Sequence, residues 1–144
     1  MNPDHPLETR LAKGECFLTE AAVVERMRRE FLIPADDYLV YGGAIYDAHS
    51  RNVLAGIYRA YMDTASRNNL PILLTSSTRR NNRDRIATSN YAQRNINQDW
   101  MTFLKDIRGG QAEVFLGSLL GTRGDAFRAE EALSEAEAFG FHRT

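Results

Sequence analysis

The sequence predicts an α/β fold in which about three strand–helix units build a parallel sheet. Three short apolar runs alternate along the chain with longer segments whose apolar residues recur at helical spacing. The middle run, Ile72 to Thr75, is apolar on both sides, which is typical of a parallel strand that is covered on both faces. Strands that alternate with long helices indicate βαβ units, so we expect all three strands to run in the same direction.

The composition limits the class of protein. The chain has 144 residues, of which 43% are hydrophobic and 26% are charged, and its net charge is -1, so nucleic acid or an anionic membrane is not expected as the main partner. The single cysteine, Cys16, excludes an internal disulfide and a cysteine-rich zinc site within one chain. No apolar run approaches the roughly 20 residues that cross a bilayer. We expect a cytoplasmic protein with a flexible leader over residues 1–13 and a single α/β domain over residues 14–144.

The first unit pairs a short strand with a helix. Residues 15–19 predict the strand, and apolar residues at helical spacing predict a helix from Glu20 to Phe31 that stops near Pro34. The segment 36–49 contains Gly-Gly and alternates poorly, which indicates a loop with local turns.

The second unit contains the longest helical pattern, which begins at Ser50. The strand Ile72 to Thr75 follows it, entered through Pro71, and residues 78–90 predict a polar loop. The apolar residues that share one face of this helix are Val53, Leu54, Ile57, Tyr58, Tyr61, Met62 and Ala65.

The third unit begins with a second amphipathic helix, which we expect to end at Gly109-Gly110. Residues 112–118 predict the third strand, and the segment 128–144 begins as a helix. The apolar stripe of the amphipathic helix predicts packing against the sheet, and it comprises Ile96, Trp100, Phe103, Leu104 and Ile107.

Polar or glycine-rich loops follow all three strands. They read "TEAA", "TSSTRRNN" and "GSLLGTRGD". Because the carboxyl ends of parallel strands meet at one edge, where α/β proteins bind ligands, these loops predict a single candidate site.

Glu20 is the acid of the first loop. If the helix begins there, Glu20 lies in its first turn and interacts with the helix dipole, with Thr19 as the N-cap. The other interpretation is that Glu20 binds a ligand. Cys16 lies just before it in an apolar stretch, and we expect that thiol to be buried and inert.

The arginine-rich second loop has three interpretations. Arg79 or Arg80, with the hydroxyls of Thr75 and Ser77, could hold a carboxylate through paired hydrogen bonds. A nucleic-acid-binding loop is less favoured because aromatic residues are sparse and the net charge is negative. A solvated polar loop is the third. The glycines of the last loop favour a tight turn over a phosphate-binding loop, since the P-loop ending and the dinucleotide spacing are both missing.

The three loops together resemble the homocysteine S-methyltransferase family. That family has an acid and Gly-Gly after its first barrel strand, a Thr-x-Thr-aromatic segment after the second, and a Gly-Ser-x-Gly-Pro-Arg-Gly-Asp-like segment after the third. This chain has "FLTEAAVVERM", "YRAYMDTASRNNLPILLTSSTRRNN" and "FLGSLLGTRGDAF" in that order, over about residues 15–142. It departs from the pattern at Ala21-Ala22, Thr78 and Thr122, which replace the glycines, an aromatic residue and a proline.

The resemblance implies a partial (β/α)8-type barrel of about three parallel βα units with an open sheet edge. Complete relatives bind zinc through three cysteines on later strands and transfer a methyl group to the homocysteine thiol. We therefore expect a domain that holds a small amino-acid-like ligand, has neither a cofactor nor metal ligands of its own, and is inactive alone. The substrate-binding residues that the resemblance implies are Glu20, Ala21, Thr75, Ser77, Arg79, Ser118 and Arg123.

An incomplete barrel leaves backbone groups and apolar side chains without partners. Phe17, Leu73 and Phe115 or Leu116 would lose their opposing layers, so we expect a homo-oligomer that covers the open edge. The competing hypothesis is a non-catalytic module that binds a small ligand or assembles through this edge. Neither hypothesis involves nucleic acid or a membrane.

Overall fold

The structure is a computed structural model that describes residues 6–124 and 127–143. Its strands form one parallel sheet in the order β1-β2-β3, which confirms the predicted α/β class. The strands are β1 Leu18–Thr19, β2 Ile72–Ser76 and β3 Val114–Ser118. The helices are α1 Pro6–Ala12, α2 Val23–Arg29, α3 Ala48–Arg67, α4 Arg83–Thr88, α5 Ile96–Arg108 and α6 Glu135–His142, and short 3-10 helices cover Ala44–Tyr46 and Ala129–Glu131.

One face of the sheet is buried beneath α3 and α5. Ile72, Leu74 and Ser76 of β2 point towards these helices and are almost fully buried. The predicted stripes of both helices contribute to this core, with Leu54 and Trp100 fully enclosed. Val23 and Met27 of α2 and residues of the segment 33–45 also belong to it. The two long helices therefore pack where their apolar spacing predicts, because burying those stripes is the main gain from folding.

The other face of the sheet is only partly covered. Phe17, Leu73, Thr75, Phe115 and Gly117 lie on it and are half-buried, and we call this surface the open face. The expectation that the middle strand is covered on both faces is therefore wrong for the part of the chain described. The cause is that both connecting helices lie on the same side of the sheet.

Helix α1 lies at the amino end of the open face. The guanidinium of Arg10 is 5.4 Å from the ring centroid of Phe17 and 5.7 Å from that of Phe115. It forms ion pairs with Glu15 and, at 2.8 Å, with Glu113. These contacts connect α1, within the segment predicted as a leader, to the first and third strands. Leu116, the alternative to Phe115 in the prediction, instead packs with the helix-covered core.

Three local predictions are wrong. Helix α2 begins at Val23, three residues after Glu20, and the strand before it has only two residues. The segment 78–90 contains helix α4, whose first turn is capped by Asn82 through a bond from the N–H of Arg85. Cys16 is exposed, because the chain enters β1 at the edge of the sheet. None of the described helices is long and apolar enough to cross a membrane.

Candidate functional site

The loops after the three strands meet at one edge of the sheet and are bonded to each other. The hydroxyl of Thr78, after β2, donates to the carbonyl of Leu119, after β3, at 2.9 Å. The side-chain amide of Asn82 donates to the carbonyl of Thr122 at 2.8 Å. Gly121 fits this arrangement because a Cβ there would lie 2.1 Å from the carbonyl oxygen of Arg79. The second and third loops therefore form one packed unit.

Glu20 joins the first loop to the second. Its carboxylate accepts a hydrogen bond from the backbone N–H of Thr75 at 3.0 Å and another from the Thr75 hydroxyl. The helix-dipole interpretation of Glu20 is wrong, since α2 begins at Val23, and the N-cap is Ala22 instead of Thr19. The acid links β1 to β2 at the edge where the loops converge.

The two alanines after Glu20 adopt an unusual junction. Ala22 has φ 52° and ψ 27°, a left-handed conformation that glycine adopts more readily than alanine. An L-residue in this region costs about 1–2 kcal/mol. The hydroxyl of Tyr61 donates to the carbonyl of Ala21 and so fixes the residue before the turn. The backbone thus keeps a glycine-like turn although both positions carry a methyl group.

Tyr58 supports the same edge from beneath. Its side chain is fully buried and its hydroxyl donates to the carbonyl of Thr75 at 2.9 Å. Burial first, and then the negative charge of Glu20, raise the pKa of Tyr58 well above its usual value. The phenol therefore remains a hydrogen-bond donor throughout the physiological pH range. It fixes the backbone of Thr75, the residue whose N–H donates to the carboxylate of Glu20.

These groups surround a cavity of about 460 Å³. The cavity is open to solvent, and Val23, Val24 and Leu119 supply apolar parts of its wall. Arg79 is exposed at this cavity and forms no hydrogen bond or ion pair with another described residue. We call it the Glu20 cavity, and its polar lining comprises Thr19, Glu20, Glu25, Tyr58, Thr75, Ser76, Ser77 and Arg79.

The structure brings four of the seven sequence-predicted residues to this cavity: Glu20, Thr75, Ser77 and Arg79. Ala21 is adjacent in the chain and contributes its carbonyl to Tyr61. Sequence reasoning missed Tyr58 as a site residue, although its place in the α3 stripe predicts that it is buried. It also missed the apolar wall.

Ser118 and Arg123 lie outside the Glu20 cavity. Ser118 lines a separate cavity of about 460 Å³ near α4 and α6, and it is bonded to Ser76 at 3.2 Å. The guanidinium of Arg123 lies 3.8 Å from the carboxylate of Asp84. Leu119 lines both cavities, and neither Ser118 nor Arg123 lines the cavity that contains Glu20.

No metal-binding cluster is present among residues 6–124 and 127–143, where no three His, Cys, Asp or Glu side chains come together. The donor set that zinc requires in complete members of the resembled family is therefore not found in the described part of this chain. We assign no chemical step to a metal here.

Comparison of the chain with protein-family models, with curated proteins and with solved structures finds no match.

Proposed function

We propose that the chain is a homocysteine S-methyltransferase-like domain, built as a partial (β/α)8-type barrel, that binds an amino-acid-like ligand. The order β1-β2-β3 with both long helices on one face supports this proposal, since the strands of a barrel are adjacent in chain order and keep their helices outside. The open face would then correspond to the inner surface of the barrel.

The observation that carries the proposal is that Glu20 and Arg79 bring opposite charges to the Glu20 cavity, while the other acid there, Glu25, already forms ion pairs with two arginines of α2. Arg79 has no described partner, and Glu20 accepts two bonds of the roughly four that a carboxylate can accept. A zwitterionic ligand would place its ammonium group at Glu20 and its carboxylate at Arg79, which are both charge-assisted contacts. The apolar wall of Val23, Val24 and Leu119 suits an aliphatic or sulfur-containing side chain.

Each residue has a defined part in binding. Glu20 orients the ammonium group, and Thr75 holds Glu20 in place through its N–H and hydroxyl. Tyr58 donates a hydrogen bond to the carbonyl of Thr75 and thereby fixes the backbone that lines the cavity at this residue. In complete relatives zinc converts the substrate thiol to a thiolate, and the described residues of this chain include no group of three or more His, Cys, Asp or Glu that could hold a metal ion. Binding is therefore separate from methyl transfer in this proposal.

Purified protein is expected to bind homocysteine without methylating it. We expect saturable binding by isothermal titration calorimetry and no methionine by mass spectrometry when S-methylmethionine, betaine or a methylated folate is added. The reason is that the described residues hold the amino acid but include no cluster that lowers the thiol pKa. Methionine formation that a zinc chelator abolishes would contradict the second part of this prediction.

Charge-removing substitutions are expected to weaken this binding. Glu20→Gln and Arg79→Gln should each raise the Kd for homocysteine about tenfold or more, since hydrogen bonds to charged groups contribute about 1.5–3 kcal/mol. The matched controls are Glu30→Gln and Arg59→Gln, which remove the same charges from exposed positions outside the cavity. Equal Kd changes in the cavity variants and the controls would show that the ligand does not lie between Glu20 and Arg79.

A second candidate function is an assembly module that joins other chains through its sheet. The observation that favours it is the half-buried open face, with Phe17 and Phe115 in edge-to-face contact at 5.4 Å and the guanidinium of Arg10 over both rings. Apolar surface of this kind marks interaction sites when it is contiguous. Phe17 and Phe115 do not line the Glu20 cavity, whereas Thr75 belongs both to the open face and to that cavity.

A further inference from the structure

The outer edge of β3 is unpaired in the described structure. The N–H of Ile72 donates to the carbonyl of Glu113 at 2.9 Å, and β2 and β3 are in continuous register from there to Ser118. Backbone groups alternate sides along a strand, so Phe115 and Gly117 face β2. The N–H and carbonyl groups of Leu116 and Ser118 therefore point away from the sheet.

A groove runs beside the first half of this edge. It has a volume of about 560 Å³ and lies between β3, the end of α5 and Leu7 of α1. Its wall is mainly apolar, and Lys105 and Arg108 supply positive charge. The residues that line it next to the strand are Ala112, Val114, Phe115 and Leu116.

Two exposed leucines follow the other half of the same edge. Leu120 is 80% exposed and Leu119 is 43% exposed, directly after the end of β3 at Ser118. Each chain thus presents an apolar groove at the start of β3 and apolar side chains at its end. An antiparallel, two-fold arrangement of two such strands brings the groove of each copy to the leucines of the other.

We infer that two copies of this chain pair through the outer edges of β3, in antiparallel orientation about Leu116. In this register Leu116 faces itself and Val114 faces Ser118 of the second copy, so the turn at Ala112 lies near Leu120, just after β3 of the second copy. The outward N–H and carbonyl groups then join the two sheets into one sheet of six strands. The N–H of Val114, which is bonded to the carbonyl of Gln111 at 3.4 Å, exchanges that partner for Ser118 of the second copy. Leu120 of each copy enters the groove beside Ala112 of the other. A second copy is the occupant that the structure supports, because the apolar groove and the exposed leucines lie at opposite ends of β3 and an antiparallel pair brings them together.

The first test is the oligomeric state of two matched variants. Wild-type protein is expected to have twice the mass of one chain by size-exclusion chromatography with light scattering. Leu120→Lys is expected to reduce this to the mass of one chain, because it places a cation beside Lys105 and Arg108 of the other copy. Leu32→Lys is the control, since Leu32 is 81% exposed, follows α2 and does not line the groove. Monomeric wild-type protein, or the same mass for both variants, overturns the inference.

The second test examines the register. A Cys16→Ser background removes the exposed native thiol, and Leu116→Cys then places one cysteine of each copy opposite the other at the centre of the paired strands. Opposed residues in an antiparallel pair have Cα atoms about 4.5–5.5 Å apart, within the range of a disulfide. We expect a covalent dimer on a non-reducing gel. Leu120→Cys in the same background is the control, because Leu120 is exposed and its two copies lie at opposite ends of the paired strands. Equal cross-linking by both variants, or none by Leu116→Cys, contradicts the proposed register.

Discussion

Replacement of Trp100 by alanine is expected to lower the free energy of unfolding by about 3–5 kcal/mol, the usual cost of removing a fully buried tryptophan. Trp100 has no exposed surface and packs edge-to-face with Tyr58 and Phe103, at ring-centroid distances of 6.5 Å and 5.5 Å. Its indole N–H donates to the carbonyl of Gly42 at 2.7 Å, which attaches the segment 36–47 to α5. Urea unfolding followed by circular dichroism measures the change.

The matched variant Trp100→Phe separates packing from hydrogen bonding. Phenylalanine keeps most of the apolar contact but leaves the Gly42 carbonyl without its donor, so we expect a smaller loss of about 1–3 kcal/mol. The loss in Trp100→Ala should clearly exceed the loss in Trp100→Phe. Equal losses would show that the bond to Gly42, rather than the packing beneath the sheet, determines the contribution of this residue.

The second large effect is expected for Gly121→Ala. The added methyl group would lie 2.1 Å from the carbonyl oxygen and 2.8 Å from the carbonyl carbon of Arg79, so backbone has to move. Overpacking of this kind costs about 1–3 kcal/mol in the free energy of unfolding. The displaced segment carries Arg79, so the proposed ligand affinity should fall as well. Urea unfolding and calorimetric titration measure the two effects.

Gly110→Ala is the control for this substitution. Gly110 lies in an exposed turn, has nothing within 4 Å of an added methyl group and does not have a left-handed φ. We expect its free energy of unfolding and its ligand affinity to match those of the unaltered protein. If Gly121→Ala behaved like Gly110→Ala, the close packing of the second and third loops would not be required for stability or for binding.

The parallel sheet and the long helices could be predicted from the sequence because burial creates their patterns. Helix α3 and helix α5 each bury one stripe against the same face of the sheet, and a buried stripe leaves a helical period in the sequence. Helix α4 has no fully buried residue and only six residues in all, so no period reveals it. The one sequence feature that could indicate this helix is Asn82, which caps its first turn. Asparagine is equally common in loops, so it does not distinguish a helix from a loop here.

The candidate site could be predicted only in part. The convergence of the loops follows from parallel strands, and it correctly groups Glu20 with Thr75. The exact start of α2 depends on the left-handed turn at Ala22, and alanine gives no signal for such a turn. The family resemblance groups Arg123 with Glu20, whereas its neighbour in the structure, Asp84, belongs to the helix that the sequence does not reveal.

The bonds around Glu20 have a consequence for the thermodynamics of binding. The acid is bonded to Thr75, and the carbonyl of Ala21 accepts from Tyr61. Because the protein's own bonds hold this wall of the cavity, the proposed ligand would not have to immobilise it at the usual cost of about 0.5–1.5 kcal/mol for each flexible side chain. Arg79 lacks such bonds, so the proposed ligand would have to offset the conformational entropy that the Arg79 side chain loses when it is ordered.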